Sequence, residues 1–138
     1  MRDPHEVFIS RRDADALGTL RRDLRSNGST EARVAKQLDA LLRETGIVAP
    51  EVLAPDRIAL GSTVTYVEEP AGVRRTVTLS YPGEADVDGR ISVLSPVGLA
   101  LIGRRRDTLA TPVLPNRRQM TLRIVDTTRE REPLREAA

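Results

Sequence analysis

The stretch from Ile91 to Gly103, Ile-Ser-Val-Leu-Ser-Pro-Val-Gly-Leu-Ala-Leu-Ile-Gly, constrains the fold more than any other in the chain, because chemistry marks each of its boundaries. Ile91, Val93 and Leu94 favour an extended strand, and Ser95 can accept a hydrogen bond from an otherwise orphaned helical N–H. Pro96 suits the first helical position, where its missing N–H costs nothing and its fixed φ fits the turn. Gly103 stands where a left-handed C-terminal cap is wanted. Between the caps, Val97, Leu99, Ala100, Leu101 and Ile102 leave no polar face. The spacing therefore predicts a buried strand running into a short helix that the rest of the domain covers on most sides.

The chain's 138 residues allow one main core with an appendage, not two full-sized cores. Cysteine is absent and the only histidine is His5, so neither a disulfide framework nor a His/Cys metal cluster can be built, and no metal or cofactor is expected. No apolar run approaches the roughly 20 residues of a membrane span, and the N-terminus lacks a signal-peptide pattern. A cytoplasmic protein without membrane contact is the expectation. The 22 basic residues, all arginine except Lys36, face 20 acidic ones for a net charge of only +2. Arg104-Arg105-Arg106 and Arg117-Arg118 raise the question of phosphate or carboxylate partners, against the alternative of solvated loop faces. Phe8, Tyr66 and Tyr81 are the only aromatics, too few for a base-stacking platform, so direct nucleic-acid binding should be weak or absent.

Along the chain, Val7-Phe8-Ile9 is a short extended stretch, and Ser10 with Asp13 opens a helix in the manner of a capping box. Ala14, Leu17, Leu20 and Leu24 form one stripe; Val34, Ala35, Leu38, Leu41 and Leu42 form a matching one, ending at Gly46. Ser26, Asn27, Gly28, Ser29 and Thr30 make the turn between them. Two amphipathic helices of about 16 residues, each roughly 24 Å long, should fold back as an antiparallel hairpin. Ile47 to Pro55 reads as a linker. From Asp56 the period becomes two: Val64 and Tyr66 alternate with Thr63 and Thr65, and after the turn Glu69 to Gly72, Val77, Leu79 and Tyr81 alternate with Thr76, Thr78 and Ser80. An acidic loop, Glu84 to Gly89, leads to the central strand. Thr108 to Leu114 and Met120 to Val125 supply two more strands. The fold class is α+β: an N-terminal helical hairpin over 1–50, an antiparallel sheet of about four to six strands with one short helix over 51–127, and a disordered charged tail over 128–138.

The runs Gly61-Ser62-Thr63-Val64, Tyr81-Pro82-Gly83-Glu84-Ala85-Asp86, Ile91-Ser92-Val93 and Ser95-Pro96-Val97-Gly98-Leu99-Ala100-Leu101-Ile102-Gly103 resemble the C-terminal domain of the bacterial GreA/GreB transcript-cleavage factors. Tyr-Pro followed by Glu-Ala-Asp is most similar to the small Rnk-type branch, regulators of nucleoside diphosphate kinase. The resemblance implies a sheet like that of the FKBP-type prolyl isomerases, a coiled coil inserted into the secondary channel of RNA polymerase, and core polymerase as the partner of a monomer. It also implies docking on the channel rim through Leu94, Ser95 and Pro96, where a helix N-terminus with free N–H groups can receive acidic or carbonyl groups. An Asp usually precedes the Ser-Pro pair in these factors; Leu94 stands here. Arg104-Arg105-Arg106-Asp107 likewise replaces the Val-Gly-Asp often found after the helix.

In the Gre factors, carboxylates at the coiled-coil tip help hold a magnesium ion in the polymerase active site, since a hard dication wants anionic oxygen. Ser26, Asn27, Gly28, Ser29 and Thr30 include no carboxylate, with Asp23 and Glu31 only at the shoulders. Polymerase binding without transcript cleavage, in competition with Gre factors, is the expected function, and the chain is not expected to be an enzyme. Three aromatics cannot line a prolyl-isomerase pocket, and Ser95 has no base to make it a nucleophile. The acidic group Glu84, Asp86 and Asp88 is either a cation site or a solvated loop. An Arg-rich nucleic-acid binder and a dimeric interaction module that does not act on polymerase are the alternatives.

Overall fold

The computed structural model describes residues 7–24, 29–85, 87–114 and 120–129. Strand β1 (Phe8–Ser10) passes without an intervening residue into helix α1 (Arg11–Asp23), and Ser10 is the cap. Its backbone is extended and its Oγ accepts the Asp13 N–H at 3.1 Å, as the capping pattern predicts. Helix α2 (Ser29–Glu44) returns antiparallel, and β2 (Gly46–Val48) then pairs with β1 in parallel, Phe8 opposite Gly46 and Ser10 opposite Val48. The expected linker thus begins with a strand. Three residues are too few to show alternation, and a parallel pair requires a crossover, which the two helices themselves supply.

Leu17 and Leu38 are fully buried between and beneath the helices, with Ala14, Leu20, Leu24, Leu41 and Leu42 packed around them. On the outside, Arg21 clips α1 to α2 by a two-pronged bond to Asp39, Nε to Oδ1 at 2.7 Å and Nη2 to Oδ2 at 3.1 Å. That bond holds the Asp39 carboxyl below its ordinary range and raises the guanidinium.

The main sheet contains β3 (Thr63–Glu69), β4 (Val73–Ser80), β5 (Arg90–Ser92), β6 (Leu109–Ala110) and β7 (Thr121–Thr128), in the order β5-β4-β3-β7-β6. Helix α3 (Pro96–Leu101) lies between β5 and β6 in the chain. The sheet is mixed rather than wholly antiparallel, because β5 runs parallel to β4 with Leu79 opposite Ile91. The chain leaves β4 through a 3₁₀ turn at Pro82–Glu84, and β5 then lies alongside the last three residues of β4, Thr78 to Ser80. On the solvent face, the hydroxyls of Thr63 and Thr78, and of Thr65 and Thr76, meet across β3 and β4 at 3.0 Å each. The inward face places Val64, Tyr66, Leu79, Leu122 and Ile124 in one cluster with Val93, Leu101 and Ile102, and with Ile9, Leu17 and Leu38 from the helical unit. Hairpin and sheet therefore share a core.

Further expectations about strand ends are corrected. Val93 and Leu94 lie in a turn rather than in the strand, and Tyr81 lies just past β4, 40% exposed. Strand β6 is only two residues long, whereas β7 continues three residues beyond Val125. The proposed tail boundary at 128 falls inside β7, and the Arg129 guanidinium holds the carbonyls of Leu53 at 2.9 Å and Ala54 at 3.1 Å; the rest of the expected tail lies outside the described residues.

Two residues join the helical unit to the sheet. Gly103 has φ of +81°, and its carbonyl accepts both the Phe8 N–H and Arg57 Nη1 at 3.0 Å, while its own N–H donates to Ile58 O at 2.7 Å. A Cβ there would strike the Val7 side chain and come within 3.0 Å of Ile9 Cγ2. Asp13, buried in the first turn of α1, accepts the Leu60 N–H through Oδ2 at 3.0 Å. Burial raises its carboxyl above the ordinary 3.8, against the lowering by the Leu60 N–H and by the charges of Arg12 and Arg129.

Gly103→Ala combines backbone strain with overpacking and is expected to lower the unfolding free energy by roughly 2–4 kcal/mol in urea titration. For Asp13, a raised folded-state value means that ionisation opposes folding. Relative to Asp13→Asn, which keeps an acceptor oxygen, the wild type should be favoured most below about pH 4 and lose that advantage as pH rises through the folded value. Urea titrations of both proteins between acid and neutral pH check the sign; an advantage that is flat or grows with pH contradicts it.

Candidate functional site

The turn between β5 and α3 is built by two serines. Ser92 Oγ accepts the Leu94 N–H at 3.0 Å, and the Ser92 carbonyl accepts both the Ser95 N–H at 3.0 Å and the Ser95 hydroxyl at 2.6 Å. Ser95, extended at φ −70° and ψ 159°, then accepts the Gly98 N–H at 3.1 Å through Oγ, and its carbonyl takes the Leu99 N–H at 2.9 Å. Pro96 occupies the first helical position, as its sequence context predicts. Val93 fastens the turn to the sheet by donating to Ser80 O at 2.8 Å, and its side chain is fully buried.

Gly98 explains how close this packing is. A Cβ on Gly98 would collide with the Ser92 carbonyl oxygen and lie 2.9 Å from Val93 Cα. The helix therefore rests directly on the backbone of the turn that starts it, and only glycine fits there. Neither Ser92 nor Gly98 stands out in the sequence as an organiser. The available signal is a glycine in the middle of a six-residue apolar helix, where it costs stability unless something approaches closely.

Leu94, Ser95 and Pro96 thus come together on one half-buried turn. The turn offers fewer free N–H groups than the bare start of a helix would: Pro96 brings none, and that of Gly98 is taken by Ser95. Leu94 packs against the core instead of projecting a polar group. The helix is covered less than expected, with Gly98 and Leu101 buried but Val97, Leu99 and Ala100 only half-buried. The surface presented is a rigid, partly apolar turn.

Elsewhere, Ser26, Asn27 and Gly28 of the hairpin tip lie outside the described residues, and Ser29 and Thr30 begin α2. Asp23 ends α1 and is exposed, as is Glu31 in the first turn of α2. Helix α1 has 13 residues, shorter than expected, and α2 has 16. Of the basic run after Gly103, Arg105 faces Asp56 at 4.0 Å and Arg106 faces Asp126 at 3.5 Å, so these two lie beside carboxylates on the protein's own surface. Arg117 and Arg118 fall outside the described residues. Glu84 and Asp88 are exposed and Asp86 is outside the described residues; among those described, no group of three acidic or histidine side chains converges as a metal site. Among the described residues, no helix is long and apolar enough to cross a membrane.

Residues 53–129, more than half of the chain, match the family described as "Transcription elongation factor, GreA/GreB, C-term". The chain belongs to the GreA/GreB family. It is 37% identical over 76 residues to the transcription elongation factor GreA of Geobacillus kaustophilus, an alignment covering 54% of this chain and 48% of that one. To GreA of Sphingopyxis alaskensis it is 37% identical over 92 residues, covering 64% and 56%. The chain spans about half the length of these curated relatives. A solved structure described as a prokaryotic GreA/GreB transcription elongation factor from Nitrosomonas europaea superposes with a TM-score of 0.68 at 29% identity, covering 91% of this chain and 99% of that one. The matched span includes the Ser92–Gly98 turn and all five strands of the main sheet, but excludes the helical hairpin.

Gly98→Ala should force the helix off its turn and cost about 1–3 kcal/mol, whereas Ser95→Ala, which removes one cap, should cost about 1 kcal/mol; urea titration of each variant measures both.

Proposed function

We propose that this protein is a transcription regulator that binds core RNA polymerase at the rim of the secondary channel through the Leu94–Pro96 turn and does not stimulate transcript cleavage. Membership of the GreA/GreB family is the observation that carries the reading, since residues 53–129 hold the family's match and the turn lies within them. The sheet would act as the FKBP-like docking domain and the paired helices as a short coiled coil entering the channel. The Tyr81-Pro82 and Glu84-Ala85-Asp86 motif supports placing the chain in the Rnk-type branch, acting as a cytoplasmic monomer.

The absence of cleavage follows from chemistry and reach. Helices of 13 and 16 residues extend roughly 20 and 24 Å. The five residues Ser26 to Thr30 carry no carboxylate to hold a magnesium ion at the end of that reach. A protein that occupies the channel entrance without supplying the metal-binding group lowers the access of factors that do. The nucleic-acid alternative draws little support from Arg105 and Arg106, which stand beside Asp56 and Asp126.

Retention of the protein on immobilised core polymerase, compared with a Ser95→Ala, Pro96→Ala variant, tests the docking. The wild type should be retained and the double variant weakened roughly tenfold, the loss of about 1.4 kcal/mol at the contact. Added to stalled elongation complexes, the wild type should leave RNA uncut and, in excess, reduce cleavage stimulated by GreA. Failure of the wild type to bind removes the proposal; cleavage at a GreA-like rate removes its catalytic half.

A further inference from the structure

The Leu94–Pro96 turn and the root of the helical hairpin stand at opposite ends of one short helix. The six residues of α3 span roughly 9 Å. Just beyond them, Gly103 accepts the Phe8 N–H, and β1 runs directly into α1 at Ser10. This first tie fixes where α1 starts, and the burial of Leu17 and Leu38 packs the helices onto the same core without setting a polar contact on α1 itself.

Asp13, in the first turn of α1, supplies a second attachment through the Leu60 N–H. Leu60 belongs to a loop that is itself held on both sides. Ile58 N–H donates to Arg104 O at 2.9 Å, Ala59 N–H donates to Ser62 Oγ at 2.8 Å, and Gly61 N–H donates to Leu79 O of β4 at 2.8 Å. Ser62 O in turn accepts the Leu79 N–H at 2.9 Å. Two polar anchors, one on β1 at Phe8 and one in the first turn of α1 at Asp13, thus hold the base of the hairpin to the sheet domain, beside the apolar burial of Leu17 and Leu38. The chemistry of the second is unusual for its place: an ionisable side chain sits buried where an apolar one would pack, at the cost of leaving the Leu60 N–H unanswered.

We propose that Asp13 and Gly103 are positioning residues that hold the helical hairpin at one fixed angle to the Leu94–Pro96 turn, so that the surface seating the turn also aims the hairpin. The aiming of the hairpin at a partner rests on the docking reading above; the fixed angle is a property of the free protein.

The chain contains no cysteine, so Lys36→Cys on exposed α2 and Arg74→Cys on exposed β4 give two unique sites for spin labels. Pulsed electron–electron distance measurement in the labelled protein is expected to give a single narrow distribution, retained by Asp13→Asn, which keeps an acceptor oxygen. Asp13→Ala should broaden or split it by roughly twofold as the second anchor is lost. A distribution for Asp13→Ala that superimposes on the parent's overturns the proposal. Should the alanine variant not fold, amide exchange in the wild type decides: Leu60 N–H is expected to exchange together with the amides of β3, and exchange on the order of 100-fold faster would mean that the hairpin swings away alone. Polymerase takes no part in either measurement, so a mobile hairpin and a failure to dock are distinguishable results.

Discussion

The structure depends on a single carbonyl. Gly103 O receives the Phe8 N–H from the strand that launches the helices and the Arg57 guanidinium from the segment that precedes the sheet. Arg57 in turn lies over the Phe8 ring, its guanidinium carbon 4.9 Å from the centroid, so the charge is held by an aromatic face as well as by the carbonyl. This convergence requires a left-handed backbone and no side chain, and glycine is the residue that supplies both. Three segments distant in sequence are thereby fixed at one point, around which Ile9, Leu17, Leu38, Ile58 and Leu101 close a common core.

That shared core changes how the two parts of the molecule should be regarded. An amphipathic hairpin of this length is marginal on its own. Here its root is built into the sheet domain through β1, β2 and buried leucines, so its stability is borrowed from the same apolar burial that holds the sheet together. The GreA/GreB match ends short of the hairpin, yet the hairpin's base contributes to the core that the matched residues form.

Much of this was legible in the residues. Ser10 and Ser95 cap the helices they precede, Gly103 takes the left-handed conformation its position calls for, and the Val64/Tyr66 alternation faces the core. The local rules succeed there because each feature is decided by neighbours within four residues. The parallel pairings of β1 with β2 and of β4 with β5 were not legible, since each is three residues long and set by where a distant crossover delivers the chain. The same is true of the turn at Leu94–Pro96: its capping serine is readable, but the fit of Gly98 onto Ser92 O is a contact between backbones that no periodicity reveals. Nor does a capping-box residue such as Asp13 announce that its carboxylate serves Leu60, 47 positions away.

On the proposed reading, the turn beginning α3 seats on polymerase while a short hairpin, with no carboxylate among Ser26 to Thr30, enters only part of the way. A cryo-electron microscopy structure of the protein with core RNA polymerase tests it most directly. Density placing Leu94–Pro96 on the rim of the secondary channel, with the paired helices inside the entrance and stopping short of the catalytic magnesium, is the expected result. Density with that turn facing solvent, or with the hairpin reaching the metal, would contradict it.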